Sequence, residues 1–116
     1  IDFIDAEYSD KNIANLFNKS TEIICIKENS FDLVVNKKDF KIYKNLNHYT
    51  GIIYNNLSIS KFKNEILFFD KKINVYIFSL GDDDYLDEFE DIIDKIKIIP
   101  LPQSIIKMYK KIYNAN

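Results

Sequence analysis

Three consecutive aspartates, Asp82, Asp83 and Asp84, are the residues of this chain whose spacing most resembles a site for chemistry. They follow residues 74–80, an uncharged apolar run that predicts a buried strand and is broken at Gly81. Carboxylates beyond the carboxyl end of such a strand could hold Mg²⁺ for phosphoryl-transfer or nuclease chemistry. The simpler interpretation, which we favour, is that Gly81 makes a turn and the aspartates stabilise the positive end of a helix.

The other residues whose side chains could take part in catalysis or metal binding are isolated in the sequence or of common type. His48 is the only histidine, and a predicted turn makes it a surface residue more readily than a general base, because the sequence supplies no partner. Asp32 with Asp39 and Lys41 weakly resembles the two acids and lysine of a metal-dependent nuclease. Cys25 lies among isoleucines, which predicts a buried, inert thiol. A single cysteine excludes an internal disulfide and indicates a reducing compartment, so we expect a cytoplasmic protein.

The lysines near the end of the chain are the candidates for contacting DNA. Lys107, Lys110 and Lys111 share the outer side of a predicted amphipathic helix, either as a solvated face or as contacts to DNA phosphates. All 16 basic residues are lysine, so bidentate reading of guanine by arginine is excluded. The formal net charge of −2 provides no overall attraction to nucleic acid.

The length and composition predict one globular domain spanning residues 1–116. The chain has 116 residues, of which 47% are hydrophobic, and this suffices for a modest core but not for two. No apolar run reaches the ~18 residues that a membrane-spanning helix needs, so we expect no membrane partner. Because the chain begins with Ile1 and is patterned from its first residues, we expect it to be the C-terminal piece of a longer protein.

The first half of the chain predicts helices followed by a hairpin. Apolar spacing predicts helices over residues 1–8 and over about ten residues that Ser9 could cap. Residues 20–29 are predicted as a third helix, although the β-branched run Ile23–Ile26 leaves a strand as the alternative. An apolar link over residues 31–35 precedes two strands, 39–44 and 49–55, that form an antiparallel hairpin. Gly51 in the second strand marks a bulge or close packing by a neighbour.

The second half alternates strands and helices. The predicted order is a helix over 60–69 capped by Ser58, the strand 74–80, an acidic helix over 82–94, a strand over 95–99 and a final helix beginning at Pro102. Such alternation predicts parallel pairing of the last three strands. The expected fold is therefore α/β, with N-terminal helices and a small mixed sheet of about four strands, covered by helices on both faces of strand 74–80.

The order of short motifs resembles the C-terminal region of adenine-specific DNA methyltransferases of type III restriction–modification systems. Residues 21–31 (TEIICIKENSF) are similar to that family's "EII-x-[IL]-[RK]-E-N-x-F" stretch, and residues 39–45 (DFKIYKN) to the strand that follows it. Residues 75–80 (VYIFSL) resemble its "VYVFSL" strand. Residues 99–105 (IPLPQSI) and 109–112 (YKKI) resemble its ending. The match covers about residues 20–113 in order.

This resemblance implies an accessory domain and not a catalytic one. The family binds S-adenosylmethionine with a Phe-x-Gly-x-Gly-type loop and its target adenine with an Asp-Pro-Pro-Tyr-type loop, and neither motif occurs here. No catalytic or cofactor-binding residue of the family has a counterpart in this chain, so the resemblance implies that S-adenosylmethionine is bound elsewhere in the parent enzyme. The implied role is assistance in DNA binding or assembly, with DNA, the parent's catalytic domain or another protein as partner.

Two other functions stay open from the sequence. The first is a small metal-dependent nuclease or phosphoryl-transfer domain that uses Asp82–Asp84. The second is a protein–protein interaction module whose acidic helix contacts a basic partner.

Overall fold

The sheet that organises the chain is mixed and has one strand more than the sequence predicts. A computed structural model describes the backbone of residues 2–79 and 85–113 and the side chains of residues 13–79 and 85–112. The elements in chain order are α1 (Asp2–Glu28), β1 (Asp32–Asn36), β2 (Phe40–Lys44), β3 (Tyr49–Ile53), the 3₁₀ helix η1 (Asn56–Ser58), α2 (Ile59–Glu65), β4 (Ile73–Ile77), the 3₁₀ helix η2 (Asp87–Ile92), β5 (Ile96–Ile98) and α3 (Gln103–Tyr113).

The five strands lie side by side in chain order, β1-β2-β3-β4-β5. β1, β2 and β3 pair antiparallel, whereas β3–β4 and β4–β5 are parallel. The predicted α/β class, the hairpin and the parallel pairing of the last three strands are confirmed. The additional strand is β1, which the sequence suggests only as an apolar link. Its alternation is hidden because the strand is largely exposed and its register shifts between Leu33 and Val35.

The N-terminal region forms one helix of 27 residues where the sequence predicts several. The predicted helix over Ile23–Ile26 is confirmed and the strand alternative is wrong. Ser20 and Thr21 are buried within the helix, and the Thr21 hydroxyl donates to the Phe17 carbonyl at 2.7 Å, so neither begins a new helix. The helix ends at Glu28, where Asn29 adopts a left-handed φ of 54° and the Ser30 N–H donates to the Cys25 carbonyl.

The helix after β3 begins through a different cap from the one predicted. The Ser58 side chain makes no capping hydrogen bond. Instead, Asn55 Oδ1 accepts from the Leu57 N–H at 3.0 Å and caps η1, which leads directly into α2. α2 ends at Glu65, four residues before the predicted end at Phe69.

The predicted acidic helix over 82–94 is corrected to the short 3₁₀ helix η2 within the described residues. Asp82, Asp83 and Asp84 lie outside the described part of the chain. Phe89 is fully buried and Ile92 packs against the same core. Because 3₁₀ geometry stacks residues three apart, it places both side chains on the sheet.

The sheet separates two hydrophobic cores. Val75 and Ile77 of β4 contribute to the core beneath α2 and η2, whereas Tyr76 and Phe78 contribute to the core beneath α1 and α3. The expectation of helices on both faces of this strand is therefore confirmed. Among the described residues, no helix is both long enough and apolar enough to cross a membrane.

Candidate functional site

The outer face of α3 carries three exposed lysines. Ile105 is fully buried, and Ile106, Met108, Tyr109 and Ile112 pack against the same core, so the apolar side of the helix is held on the sheet. Lys107, Lys110 and Lys111 occupy the opposite side and are exposed. Their spacing of three and four residues aligns them along one stripe of the helix. We call these three residues the α3 lysine stripe.

The neighbouring helix α1 lies in the same layer and carries charges of both signs, with three lysines and six acidic residues in its sequence. Lys19 and Lys27 are exposed on it, and Lys27 Nζ lies 5.5 Å from the centre of the Tyr76 ring. Glu22 is exposed on the same helix, whereas the Glu28 carboxylate points inward and is only 8% exposed. Counting residues 13–28 and 103–112 together, the layer has five lysines and two glutamates.

The opposite layer contains a cluster of carboxylates. Residues 87–94 contain five acidic side chains and no lysine, and all five are exposed. One of them, Asp91, forms an ion pair with Lys63 of α2 at 2.7 Å, which lowers the pKa of the aspartate. The carboxylates of residues 87–94 therefore lie over the face of the sheet opposite to the α3 lysine stripe, in a layer that also carries lysines such as Lys61 and Lys63 of α2.

A buried polar network forms around Glu28, where α1 ends. Glu28 Oε1 accepts from the Asn74 side-chain amide at 2.7 Å and lies 2.9 Å from His48 Nε2, while Oε2 accepts from the Tyr76 hydroxyl. Desolvation acts to raise the pKa of Glu28, but hydrogen bonds from Tyr76, Asn74 and His48 outweigh it, so the pKa is lowered. Burial and the adjacent carboxylate raise the pKa of Tyr76.

This network corrects the surface position expected for His48, whose side chain is only 22% exposed and has a carboxylate partner. Sequence reasoning missed Glu28 and Asn74 altogether. The feature of the sequence that could have predicted the network is the pair Asn74 and Tyr76. These residues are two positions apart in an apolar strand, so both present polar groups to the same face of the sheet.

The geometry of the network supports a role in stabilising the fold and not in catalysis. Tyr76 is fully buried and Glu28 nearly so, and every Glu28 oxygen already has a partner. A general base needs to reach a substrate proton, and this carboxylate is covered by its own donors. The network joins the end of α1 to the β2–β3 turn and to β4, and that is what its geometry achieves.

The other residues proposed from the sequence are not brought together. Asp32 faces Lys44 at one end of the β1–β2 pair, and Asp39 precedes β2 at the other end. These ends are separated by the length of a five-residue strand, roughly 15 Å, so Asp32, Asp39 and Lys41 form no common site. Cys25 is buried as predicted, and burial raises the pKa of its thiol to about 11.

The metal site that Asp82–Asp84 could form, which is the less favoured interpretation of the sequence, is not tested because these residues lie outside the described segments. Among residues 13–79 and 85–112, no group of three or more histidine, cysteine, aspartate or glutamate side chains is arranged to hold a metal ion.

The carboxyl ends of β3 and β4 border a groove of about 640 Å³. Its aromatic floor consists of packed rings, with Phe17 at 4.8 Å from Tyr54 and 5.0 Å from Phe78 between ring centres. Tyr54 also donates its hydroxyl to Thr21, and burial raises its pKa to about 12. These rings belong to the core beneath α1 and α3, so the floor of the groove is structural.

Comparisons with known proteins yield no match: no protein-family profile, no curated protein and no solved structure is significantly similar to this chain.

Proposed function

We propose that this chain is a non-catalytic C-terminal accessory domain of an adenine-specific DNA methyltransferase of a restriction–modification system. The domain assists DNA binding, and the parent enzyme supplies the S-adenosylmethionine site and the catalytic residues in the cytoplasm. The proposal rests on the ordered resemblance over residues 20–113 and on one structural observation, the α3 lysine stripe.

The α3 lysine stripe supports DNA contact because of its geometry and its surroundings. Lys107, Lys110 and Lys111 are exposed on a helix whose described side chains include no carboxylate. Lysine acts as a point charge on phosphate and carries no sequence information, which suits an accessory contact that positions the duplex. The acidic side chains of residues 87–94 lie over the opposite face of the sheet, so they leave this face available.

The expected affinity is low when the chain acts alone. Three phosphate contacts are fewer than the six to ten of strongly salt-dependent binders, and the net charge is −2. We expect nonspecific binding by such a surface to have a dissociation constant of ~10⁻⁴ M or larger at physiological salt. The contribution of the domain is therefore to orientation and to total affinity within the longer enzyme.

The test is a titration of short duplex DNA, followed by fluorescence anisotropy at low and moderate salt. We expect a variant with Lys107, Lys110 and Lys111 changed to glutamine to bind more weakly than the wild type at low salt. Its matched control changes Lys61, Lys71 and Lys72, three exposed lysines outside α1 and α3, and has the same net charge. If the α3 lysine stripe contacts three phosphates, the slope of log affinity against log salt decreases by about 2.7 relative to the control.

Two results would contradict the proposal. One is equal loss of binding in both triple variants, because net charge alone would then explain the effect. The other concerns the parent: full methylation by a longer enzyme from which this domain has been deleted would remove any accessory role.

A protein–protein interaction module is the second candidate, favoured by the exposed carboxylates of residues 87–94. Asp87, Glu88 and Glu90 project from η2 beside a well-packed core, a rigid acidic surface that would suit a basic partner. A charge-reversed η2 that leaves DNA binding intact but removes capture of a lysine-rich peptide would favour this function over the first.

A further inference from the structure

The outer edge of β1 combines an unpaired strand edge with exposed apolar side chains, which is unusual for a strand at the side of a sheet. β1 pairs with β2 on one side, and no other strand of the described chain pairs with its other side. Its residues Leu33 and Val34 are 45% and 41% exposed, and Phe31 just before it is 60% exposed. An edge of this kind offers free backbone N–H and C=O groups together with apolar side chains.

The opposite edge of the same sheet is protected. β5 has only three residues, and its central residue, Lys97, is exposed. Short length and a lysine are the usual devices that prevent edge-to-edge pairing. β1 has five residues and carries no charge between Asp32 and Lys37, so only the bulge at Val34 departs from a regular edge.

The charges that flank β1 are self-complementary. The sequence runs from Asp32 through Leu33, Val34, Val35 and Asn36 to Lys37, with acid at one end and base at the other. When two copies align antiparallel about the midpoint between Val34 and Val35, Asp32 of each copy lies opposite Lys37 of the other. The register shift at Val34 puts Leu33 and Asn36 on one face of the sheet and Asp32 on the other, so the opposed residues in this alignment share a face. The same alignment places Phe31 opposite Lys38, whose aliphatic stem can cover the ring.

We propose that β1 pairs antiparallel with β1 of a second copy of this chain, so that the two five-stranded sheets become one continuous sheet of ten strands. The two-fold axis of such a pair is perpendicular to the sheet, so both α1–α3 layers lie on the same side. The inference goes beyond the proposed function, because it requires no contact with DNA.

The apolar surface beside β1 extends the contact beyond the backbone. Ile26 at the end of α1 is 69% exposed, and with Phe31, Cys25 and Tyr43 it lines a cleft of about 310 Å³. Leu33 is the register partner of Tyr43, so it points to the same face of the sheet as this cleft. A second copy therefore finds an apolar strip next to the strand edge.

The interface is small, and this sets the expected strength. A strand with its flanking residues contributes fewer than ten residues per copy, whereas stable interfaces use about 20–30 per partner. We therefore expect a reversible dimer with a dissociation constant between about 10 μM and about 1 mM.

The first experiment is sedimentation of the chain over a concentration series that spans this range. We expect a concentration-dependent increase in mass towards that of two chains, each of 13.7 kDa. Val34→Lys places a charge on the edge and should leave a monomer throughout. The control Phe68→Lys changes a side chain that is 94% exposed in the turn after α2, and it should dimerise as the wild type does.

The second experiment tests the charge pattern and stays informative if Val34→Lys is poorly folded. Lys37→Glu alone places two acids together across the interface and should weaken dimerisation about three- to tenfold. Adding Asp32→Lys reverses both charges and should restore it, even though the new lysine faces Lys44 within its own chain. The control Lys37→Glu with Glu90→Lys restores the same net charge at a site away from β1 and should stay weak, so recovery confined to the Asp32→Lys double variant reports pairing between copies.

A monomer at every concentration overturns the inference, as does a dimer that survives Val34→Lys or that Phe68→Lys disrupts equally. A double variant no stronger than Lys37→Glu would show that the β1 strands are not aligned antiparallel. The DNA titration is independent of these results, since a monomer can bind DNA and a dimer can fail to.

Discussion

Glu28 shows how a single residue can have a function in the structure that its sequence context hides. It is the last residue of α1, where a glutamate would ordinarily be solvated and would repel the negative end of the helix. Its partners His48, Asn74 and Tyr76 lie 20, 46 and 48 residues away in the chain. Their donated hydrogen bonds keep the carboxylate ionised although it is nearly buried.

We predict that Glu28→Gln destabilises the protein by about 1–3 kcal/mol near neutral pH, because the new amide donates towards groups that are themselves donors. Urea unfolding measures the difference. Glu22→Gln, an exposed change on the same helix, should stay within about 0.5 kcal/mol of the wild type.

The sign of the pH dependence of the stability contributed by Glu28 follows from the direction of its pKa shift. The folded-state pKa of Glu28 lies below its ordinary value of 4.5, so its stabilising contribution is present above 4.5 and is lost as the pH falls through the folded value. The stability difference between wild type and Glu28→Gln should therefore shrink in acid. A difference that grows on acidification would contradict the role assigned to the carboxylate.

At the scale of elements, Gly51 determines how closely α2 can approach β3. A Cβ atom at this position would lie 2.5 Å from Cζ and 2.6 Å from Cε1 of the Phe62 ring. The β2–β3 register runs without interruption through Gly51, so of the two predicted reasons for this glycine, close packing is confirmed and a bulge is wrong. The phenyl ring of Phe62 fills the space that a side chain would need.

Gly51→Ala should therefore cost about 1–3 kcal/mol, because the helix must move or the ring must leave its rotamer. Thermal unfolding measures this cost, and the matched background is Phe62→Leu, which removes the ring atoms that clash. We expect Gly51→Ala to be milder in that background. Equal costs in the two backgrounds would show that the ring does not limit the approach.

For the whole molecule, the sheet joins two hydrophobic cores and separates the two layers of helices that cover them. β3 and β4 are covered on both faces and paired on both sides, whereas β1 and β5 each pair on one side. Amides in the centre of such a sheet open only when the whole domain unfolds, while edges open at lower free energy.

Hydrogen exchange should follow this order. We expect amides of β3 and β4 to exchange at least about tenfold more slowly than those of β1 and β5 in dilute protein. Raising the protein concentration should then slow exchange in β1 and leave β5 unchanged, because only β1 gains a partner strand. Maximal protection of β1 even in the most dilute sample would contradict both its edge position and its role in association.

Much of the architecture follows from local patterns in the sequence. Alternation over 39–44 and 49–55, the apolar run after residue 73 and the helical spacing after Pro102 predict the hairpin, β4 and α3 nearly where they occur. These predictions succeed because each element buries one face and its period is visible in the chain. The α3 lysine stripe is predictable for the same reason.

Only the tertiary structure decides the remaining features. β1 is a strand because β2 offers it a partner, and α1 is continuous because burial of Ser20 and Thr21 prevents them from acting as caps. The Glu28 network depends on contacts between residues far apart in the chain, and no local period encodes these. The sequence by itself determined which faces are apolar and which are charged; folding determined which of those faces meet, because burial depends on neighbours that chain order does not specify.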